Sequence, residues 1–318
     1  MSEIITTRPV HGAEPVLPPP VPPPGPEREF TVEARTQTSM VVRRFLHHRL
    51  AMASLVVLAL IVVVSLVGGR LWKYDYASTN TADANQGPSW DHPMGTDELG
   101  KDELAAVLRG TQKSVQIMFL VALFSTTFGV IVGAMAGYFR GWLDAVVSRL
   151  VDLWLTVPIL AVLAVLSNKA RDSGNWFGIA VLIAAFSWMT VTRVVRAEFL
   201  SLREKEFVEA ARAMGARHRR IIVRHVLPNT IGSIIVAATL TMATAILLET
   251  ALSYLGLGIR VPDTSLGLLV SEGQTASQTR PWLFYFPGLV IIVIVLCINF
   301  VGDGLRDAFD AKATRVRR

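Results

Sequence analysis

The sequence predicts an all-α integral membrane protein with six transmembrane helices. The first observation is composition: of 318 residues, 52% are hydrophobic, and the mean hydropathy is +0.45. The second is the recurrence of apolar runs at 51–67, 114–138, 143–167, 176–192, 229–254 and 282–302. Each approaches the roughly 20 residues needed to cross a hydrocarbon core of about 30 Å. The third is charge placement. With the N-terminus in the cytoplasm, 21 Lys and Arg fall in inner segments and 9 in outer ones, and the reverse orientation would invert that bias. Both termini are therefore expected in the cytoplasm. The net charge of +6 resides in these flanks, which argues against a nucleic-acid partner.

Residues 1–40 read as a disordered, Pro-rich cytoplasmic tail. The run EPVLPPPVPPPGPE (Glu14–Glu27) favours extended polyproline II and cannot pack a core. A proline-recognising partner is the alternative to a plain disordered tail. Residues 41–72 form an N-terminal anchor with the first span. Arg43-Arg44-Phe45-Leu46 resembles a twin-arginine export signal. Five more spans follow and no A-x-A site ends the first, so a positive flank on an anchor helix is the expectation. Residues 73–113 make an extracytoplasmic segment. The core, 114–304, begins with span two, which ends in a tight inner turn at Tyr138-Phe139-Arg140-Gly141. Span three carries Arg149 and Asp152, and Pro158 is expected to kink it. The outer loop 168–175 leads to span four, and 193–228 is the longest inner loop. In span five, the small residues Gly232, Ser233, Ala237 and Ala238 permit close helix packing. A polar outer loop precedes span six, which Pro287 and Gly288 are expected to kink. Residues 305–318 are the inner tail. The lone cysteine, Cys297, lies in the last apolar run and reads as packing.

The octapeptide GTDELGKD (Gly95–Asp102) is one residue away from the phosphate-binding pattern G-x-x-x-x-G-K-[S/T]. Asp102 cannot supply the hydroxyl that such a loop gives to magnesium. Asp97 and Glu98 would repel phosphate, and the preceding GPSWDHPM is not a buried strand. The segment is also expected outside the cell, away from ATP. The match is chance, and these residues need another explanation.

The inner loop reads EKEFVEAARAMGARHRRIIVRHVLPNT (Glu204–Thr230). Phe207, Ala210, Ala211 and Met214 fall at helical spacing and make one apolar face. Gly215 permits a left-handed turn after that helix. Ile221, Ile222 and Val226 mark a second helix that ends before Pro228. Arg212, Arg217, Arg219, Arg220 and Arg224 stand between the apolar positions. An amphipathic helix lying on anionic lipid and a short helix docked in a groove of a soluble partner fit the face equally.

Spacing separates the two. Glu209-Ala210-Ala211, three residues, Gly215, then Leu227-Pro228 after eleven more resembles the signature loop of permease subunits of ABC importers. Arg224-His225-Val226-Leu227-Pro228-Asn229 matches R-H-x-L-P-N of the dipeptide and oligopeptide branch, although isoleucine is common in the wider family where His225 stands. HPMGTDELGKD (His92–Asp102) with Gly110-x-x-x-Ser114 resembles the branch's outer motif. Leu252–Gly258 and Phe286–Asp310 resemble its late motifs. Over roughly residues 40–312 the chain resembles the second, C-type permease subunit of dipeptide/oligopeptide/nickel ABC importers.

That resemblance implies the type I importer permease fold, with Glu209–Met214 as a cytoplasmic coupling helix. It implies a second permease subunit as heterodimer partner, two cytoplasmic ATPases, an extracytoplasmic substrate-binding protein and surrounding lipid. The setting is a bacterial inner membrane. Coupling to the ATPase would fall to Glu209, Ala210, Ala211, Met214, Gly215, Leu227 and Pro228. The chain itself would be no enzyme and bind no cofactor or metal, because ATP and magnesium sit on the ATPases. ATP binding would draw the coupling helices together and rock the spans between inward-open and outward-open packings. The acidic residues of the outer motif would cap helices or face partner subunits. Peptides are the expected cargo; nickel chelates or other small solutes are the alternative.

Charges inside the spans carry two readings each. Arg149 and Asp152 are spaced i,i+3 and can pair on one helix face, or line the translocation path. Glu249, near the outer end of span five, is either a gate or pathway residue, or has a structural partner. A stand-alone proton-coupled carrier would use Asp152 or Glu249 as its proton site, but the signature loop is foreign to it. A membrane enzyme finds no H-E-x-x-H or G-x-S-x-G here.

Overall fold

In hydrocarbon every backbone N–H and C=O has to be satisfied within its own segment, so apolar runs fold as helices. The computed structural model describes residues 37–170 and 176–309. The Pro-rich run, most of the 168–175 loop and the end of the inner tail lie outside the described residues. The described residues form helices α1 (Gln37–His47), α2 (Arg49–Leu71), α3 (Glu103–Phe139), α4 (Gly141–Thr156), α5 (Ile159–Ala170), α6 (Trp176–Leu202), α7 (Glu206–Ala213), α8 (His218–Ile221), α9 (Leu227–Tyr254), α10 (Leu266–Ala276) and α11 (Trp282–Phe309). Five stretches are long and apolar enough to cross a membrane: α2, α3, α6, α8 through α9, and α11. The sixth expected span is the pair α4 and α5, which meet at 84°.

Several boundaries differ from the hydropathy reading, each for a local reason. α1 begins at Gln37, inside the stretch assigned to the tail, and is separated from α2 at His48, whose Nδ1 accepts from the Ala51 N–H and caps α2. α3 starts at Glu103, well before 114, because Asp102 caps it and helix-forming residues continue the turn beyond the apolar run. Its 37 residues span about 55 Å, much more than a bilayer core. Pro158 does more than kink: Val157 is extended and the helix restarts at Ile159. Pro287, by contrast, sits inside unbroken α11. The carbonyl it cannot bond, that of Leu283, lies against Gly273 of α10. α10 was missed, since 259–281 reads as a polar loop; Ser265 caps it, accepting from the Leu268 N–H.

The second loop helix does not stop before Pro228. α8 runs through a π-turn at Ile222–Val226 into α9, with Pro228 in the first turn of α9. The Leu227 N–H bonds to the Ile222 carbonyl, five residues back. The wider turn accommodates a proline whose ring would clash in a regular helix.

Among the described residues the most extensive helix contact is that of α3 with α6. Gly129, Gly133 and Gly137 form one stripe on α3. A Cβ at these positions would lie 2.7 Å from Val191 Cβ, 2.7 Å from the Thr192 carbonyl oxygen and 2.7 Å from the Arg196 carbonyl oxygen, respectively. Without driving force from water, such small-residue seams let helices approach until backbone packing holds them. Two arginines of α6 then hold α4: Arg196 forks onto Asp144, and Arg193 reaches Asp152 at 2.8 Å. The small residues of α9 also allow close contacts. Gly232 lies under Phe309, Ser233 Oγ donates to Glu198 at 2.8 Å, and Ala237 is buried.

Candidate functional site

The loop between α6 and α9 packs back onto the ends of α3 and α6. α7 closes with the Gly215 N–H bonding to the Arg212 carbonyl at 2.9 Å and the Ala216 N–H to the Ala211 carbonyl at 3.0 Å. This double bond pattern requires a left-handed residue, and Gly215 has φ +79°. Val208 and Ala211 of α7, with Ile221 and Val226 beyond it, are fully buried against Tyr138, Val195 and Phe199. Leu227 packs at the edge of that cluster, and Pro228 is exposed.

The apolar face expected on α7 therefore divides. Ala211 turns inward with Val208, whereas Phe207 (41% exposed), Ala210 and Met214 (80% exposed) face away from the protein. Glu209 is exposed on the same short helix. Phe207 and Met214 thus present large apolar side chains on the outer face of the loop.

The outer motif is a structural knot. The His92 ring stacks on Tyr74 with centroids 4.5 Å apart, and its Nδ1 bonds to Asp102 at 2.8 Å. Asp102 also accepts from Trp72 Nε1 at 2.9 Å and from the Ala105 N–H at 2.7 Å. Its carboxylate thus occupies the α3 N-terminus, where a phosphate loop would hold phosphate. Asp97 accepts from the N–H groups of Leu99 and Lys101, and Glu98 reaches Arg280. Capping accounts for Asp97 and Asp102.

Glu249 is completely buried, with Ser253 donating to it at 2.7 Å and Ser114 at 3.0 Å. Ser114 accepts in turn from the Leu266 N–H, so one carboxylate ties α3, α9 and the start of α10 together. Nearby, Asp263 takes Arg109 at 2.8 Å and Lys113 at 3.1 Å, with Tyr76 and Trp176 beneath the two cations. Burial would raise the Asp263 carboxyl, but Arg109 and Lys113 overcome it and hold the group below its ordinary value. The Asp263 clamp was not anticipated, because its partners are far apart in the chain.

The pairing of Arg149 with Asp152 does not form: Asp152 takes Arg193 of α6, and Arg149 is exposed. Spacing on one helix shows which charges share a face, but not which neighbour approaches. The glycine seam was also missed, although Gly129, Gly133 and Gly137 repeat at the four-residue spacing that signals it.

The fold therefore combines a short inner-loop helix packed on the ends of α3 and α6, the bent pair α4 and α5, and a long α3 packed along α6. Two solved structures of the MetNI methionine ABC transporter in inward-facing conformations share this fold. One has a TM-score of 0.54 at 21% identity, covering 64% of this chain and 96% of its own. The other has a TM-score of 0.55 at 20% identity, covering 65% and 97%. The model of the binding-protein-dependent transport system inner membrane component matches residues 129–315. The model of the N-terminal TM domain of oligopeptide transport permease C matches residues 36–88. The oligopeptide transport system permease protein OppC of Mycobacterium tuberculosis is 44% identical over 286 residues, covering 90% of this chain and 98% of that protein. The dipeptide transport system permease protein DppC of Alkalihalophilus pseudofirmus is 34% identical over 304 residues, covering 94% and 97%. The Bacillus subtilis OppC is 37% identical over 269 residues, covering 85% and 88%. The chain belongs to the family of binding-protein-dependent transport system inner membrane components. It is a multi-pass inner-membrane permease, and membership implies an ATPase and a substrate-binding protein as partners.

Proposed function

We propose that the chain is one permease subunit of an ATP-driven peptide importer, forming half of the pathway beside a second, different permease. Two ATPases sit on the α7 side and carry ATP and magnesium; this chain is non-catalytic and holds no cofactor. The observation that carries the reading is the outward apolar face of Phe207, Ala210 and Met214 on a helix whose other face is locked into the protein. A groove on the ATPase covers it. Peptide cargo is supported by relatives named for oligopeptides and dipeptides, over nickel chelates or other solutes.

The Lys and Arg bias supports a cytoplasmic position for α7 and both termini, with the His92–Asp102 segment on the side of the binding protein. Gly215 fixes the turn after the docking helix, and Leu227 and Pro228 lead into α9. Glu249 and Asp152 act as internal ties rather than pathway residues, since each carboxylate is already engaged by neighbouring side chains. The same contacts weigh against a stand-alone proton carrier. The test is a mild-detergent pull-down of tagged protein from native membranes, read by mass spectrometry. Recovery of a second permease and an ATPase is expected. Repeated recovery of this chain alone in several detergents would overturn the reading.

A further inference from the structure

The docking helix can drive transport only if its displacement reaches the spans. The apolar contacts of Val208, Ala211, Ile221 and Val226 hold the loop in place but are not directional. A directional contact exists where α8 begins. Tyr138, near the C-terminal end of α3, is 4% exposed, and its hydroxyl bonds to His218 Nδ1 at 2.9 Å. His218 is the first residue of α8. Its ring also meets those of Tyr138 and Phe139 edge-on, at 5.6 and 5.9 Å. On the other side, Arg203 at the end of α6 donates to the Tyr138 carbonyl and lies 5.9 Å from the Tyr138 ring. Glu204 then takes both Arg203 and Arg140, at 3.4 and 3.0 Å.

Three elements thus converge on one side chain: the end of α3, the end of α6 and the start of the docking loop. α3 is one unbroken helix, joined to α6 along the glycine seam, and its far end carries the Asp102 cap and Ser114. A push on α8 is delivered through Tyr138 to a rod that reaches the outer segment about 55 Å away. We propose that Tyr138 and His218 are positioning residues that form the joint passing motion of the docking helix into α3. The proposal rests on the reading of α7 as an ATPase-docking helix.

The experiment uses the assembled complex of both permeases, ATPases and binding protein, reconstituted in nanodiscs. The readout is the ratio of ATP hydrolysis with binding protein and a tripeptide pool to hydrolysis without them. Tyr138→Phe removes one hydroxyl from a buried ring and should lower that ratio about fivefold, the equilibrium equivalent of one hydrogen bond. His218→Leu should lower it similarly. The double variant should be no worse than either single one, because both break the same bond. His218→Asn, whose side-chain amide reaches the position of Nδ1 and can still accept, should restore most of the ratio. A Tyr138→Phe complex that assembles and keeps the wild-type ratio overturns the proposal, as does additivity of the two changes. Met214→Asp separates this from the docking reading. Loss of ATPase from Met214→Asp, together with normal coupling in Tyr138→Phe, sinks only the joint. Full ATPase retention and coupling in Met214→Asp sinks the docking reading itself.

Discussion

Alanine at Gly133 tests how α3 and α6 are held. The added Cβ would lie 2.7 Å from the Thr192 carbonyl oxygen, 3.0 Å from Val195 Cβ and 3.1 Å from the Arg196 amide nitrogen. The nearest of these is short of an ordinary contact by about 0.7 Å or more. Two of the three neighbours are backbone atoms of a helix, which cannot swing aside as a side chain can. α6 has to move as a unit, against its ties to Asp144 and Asp152. Overpacking of this kind costs about 1–3 kcal/mol. Replacing glycine in a helix also gains about 1 kcal/mol in propensity, which obscures the steric cost. Gly288→Ala supplies the control, because a Cβ there meets nothing within 4 Å and the propensity gain is the same. Thermal unfolding of the purified complex, followed by size-exclusion, should place Gly133→Ala below Gly288→Ala by on the order of 5 °C. Equal melting temperatures, or Gly133→Ala the higher, would refute the seam as the clamp between these helices.

Two further predictions concern the loops. Gly215→Asp meets no steric block but puts a side chain at φ +79°, a strain of about 1 kcal/mol, beside the docking face. The variant should insert normally and lose substrate-stimulated ATP hydrolysis, and normal stimulation would contradict the role of that turn. Asp263 has a folded value held below its ordinary 3.8. Its contribution is therefore present above 3.8 and is lost as pH falls through the folded value. Wild type should melt higher than Asp263→Asn at neutral pH, and the gap should close in acid below that window. A gap that stays constant into acid would mean that the clamp is not what Asp263 contributes.

Span number, the inner loop and its left-handed glycine were legible because each rests on local signals: run length, charge flanks and the spacing of Gly215 from Glu209. The split of the α7 face was not. Phe207, Ala210, Ala211 and Met214 share a helical face by spacing, yet only the packing of α8 and the π-turn decides that Ala211 points inward and Met214 outward. Asp152 found Arg193 rather than Arg149 because the seam brings α6 near α4, a tertiary consequence of glycines on a third helix. Glu249 carried two readings, a gate or pathway residue and a residue with a structural partner, because it is a charge in an apolar run. The serines that enclose it come from α3 and α9, with a third, Ser265, near Ser253, and one chain position does not disclose that company. The octapeptide that mimics a phosphate loop belongs to the same lesson. Asp102 caps α3, Asp97 closes the turn before it and Glu98 reaches Arg280, roles visible once α3 is known to begin at Glu103.

The central claim is that α7 presents Met214 to an ATPase while Val208 faces the permease. A photo-crosslinking p-benzoylphenylalanine at either position, in membranes containing the whole complex, tests it most directly. The account predicts an ATPase adduct from position 214 and none from position 208. Adducts to lipid alone from position 214, or equal ATPase adducts from both, would contradict it.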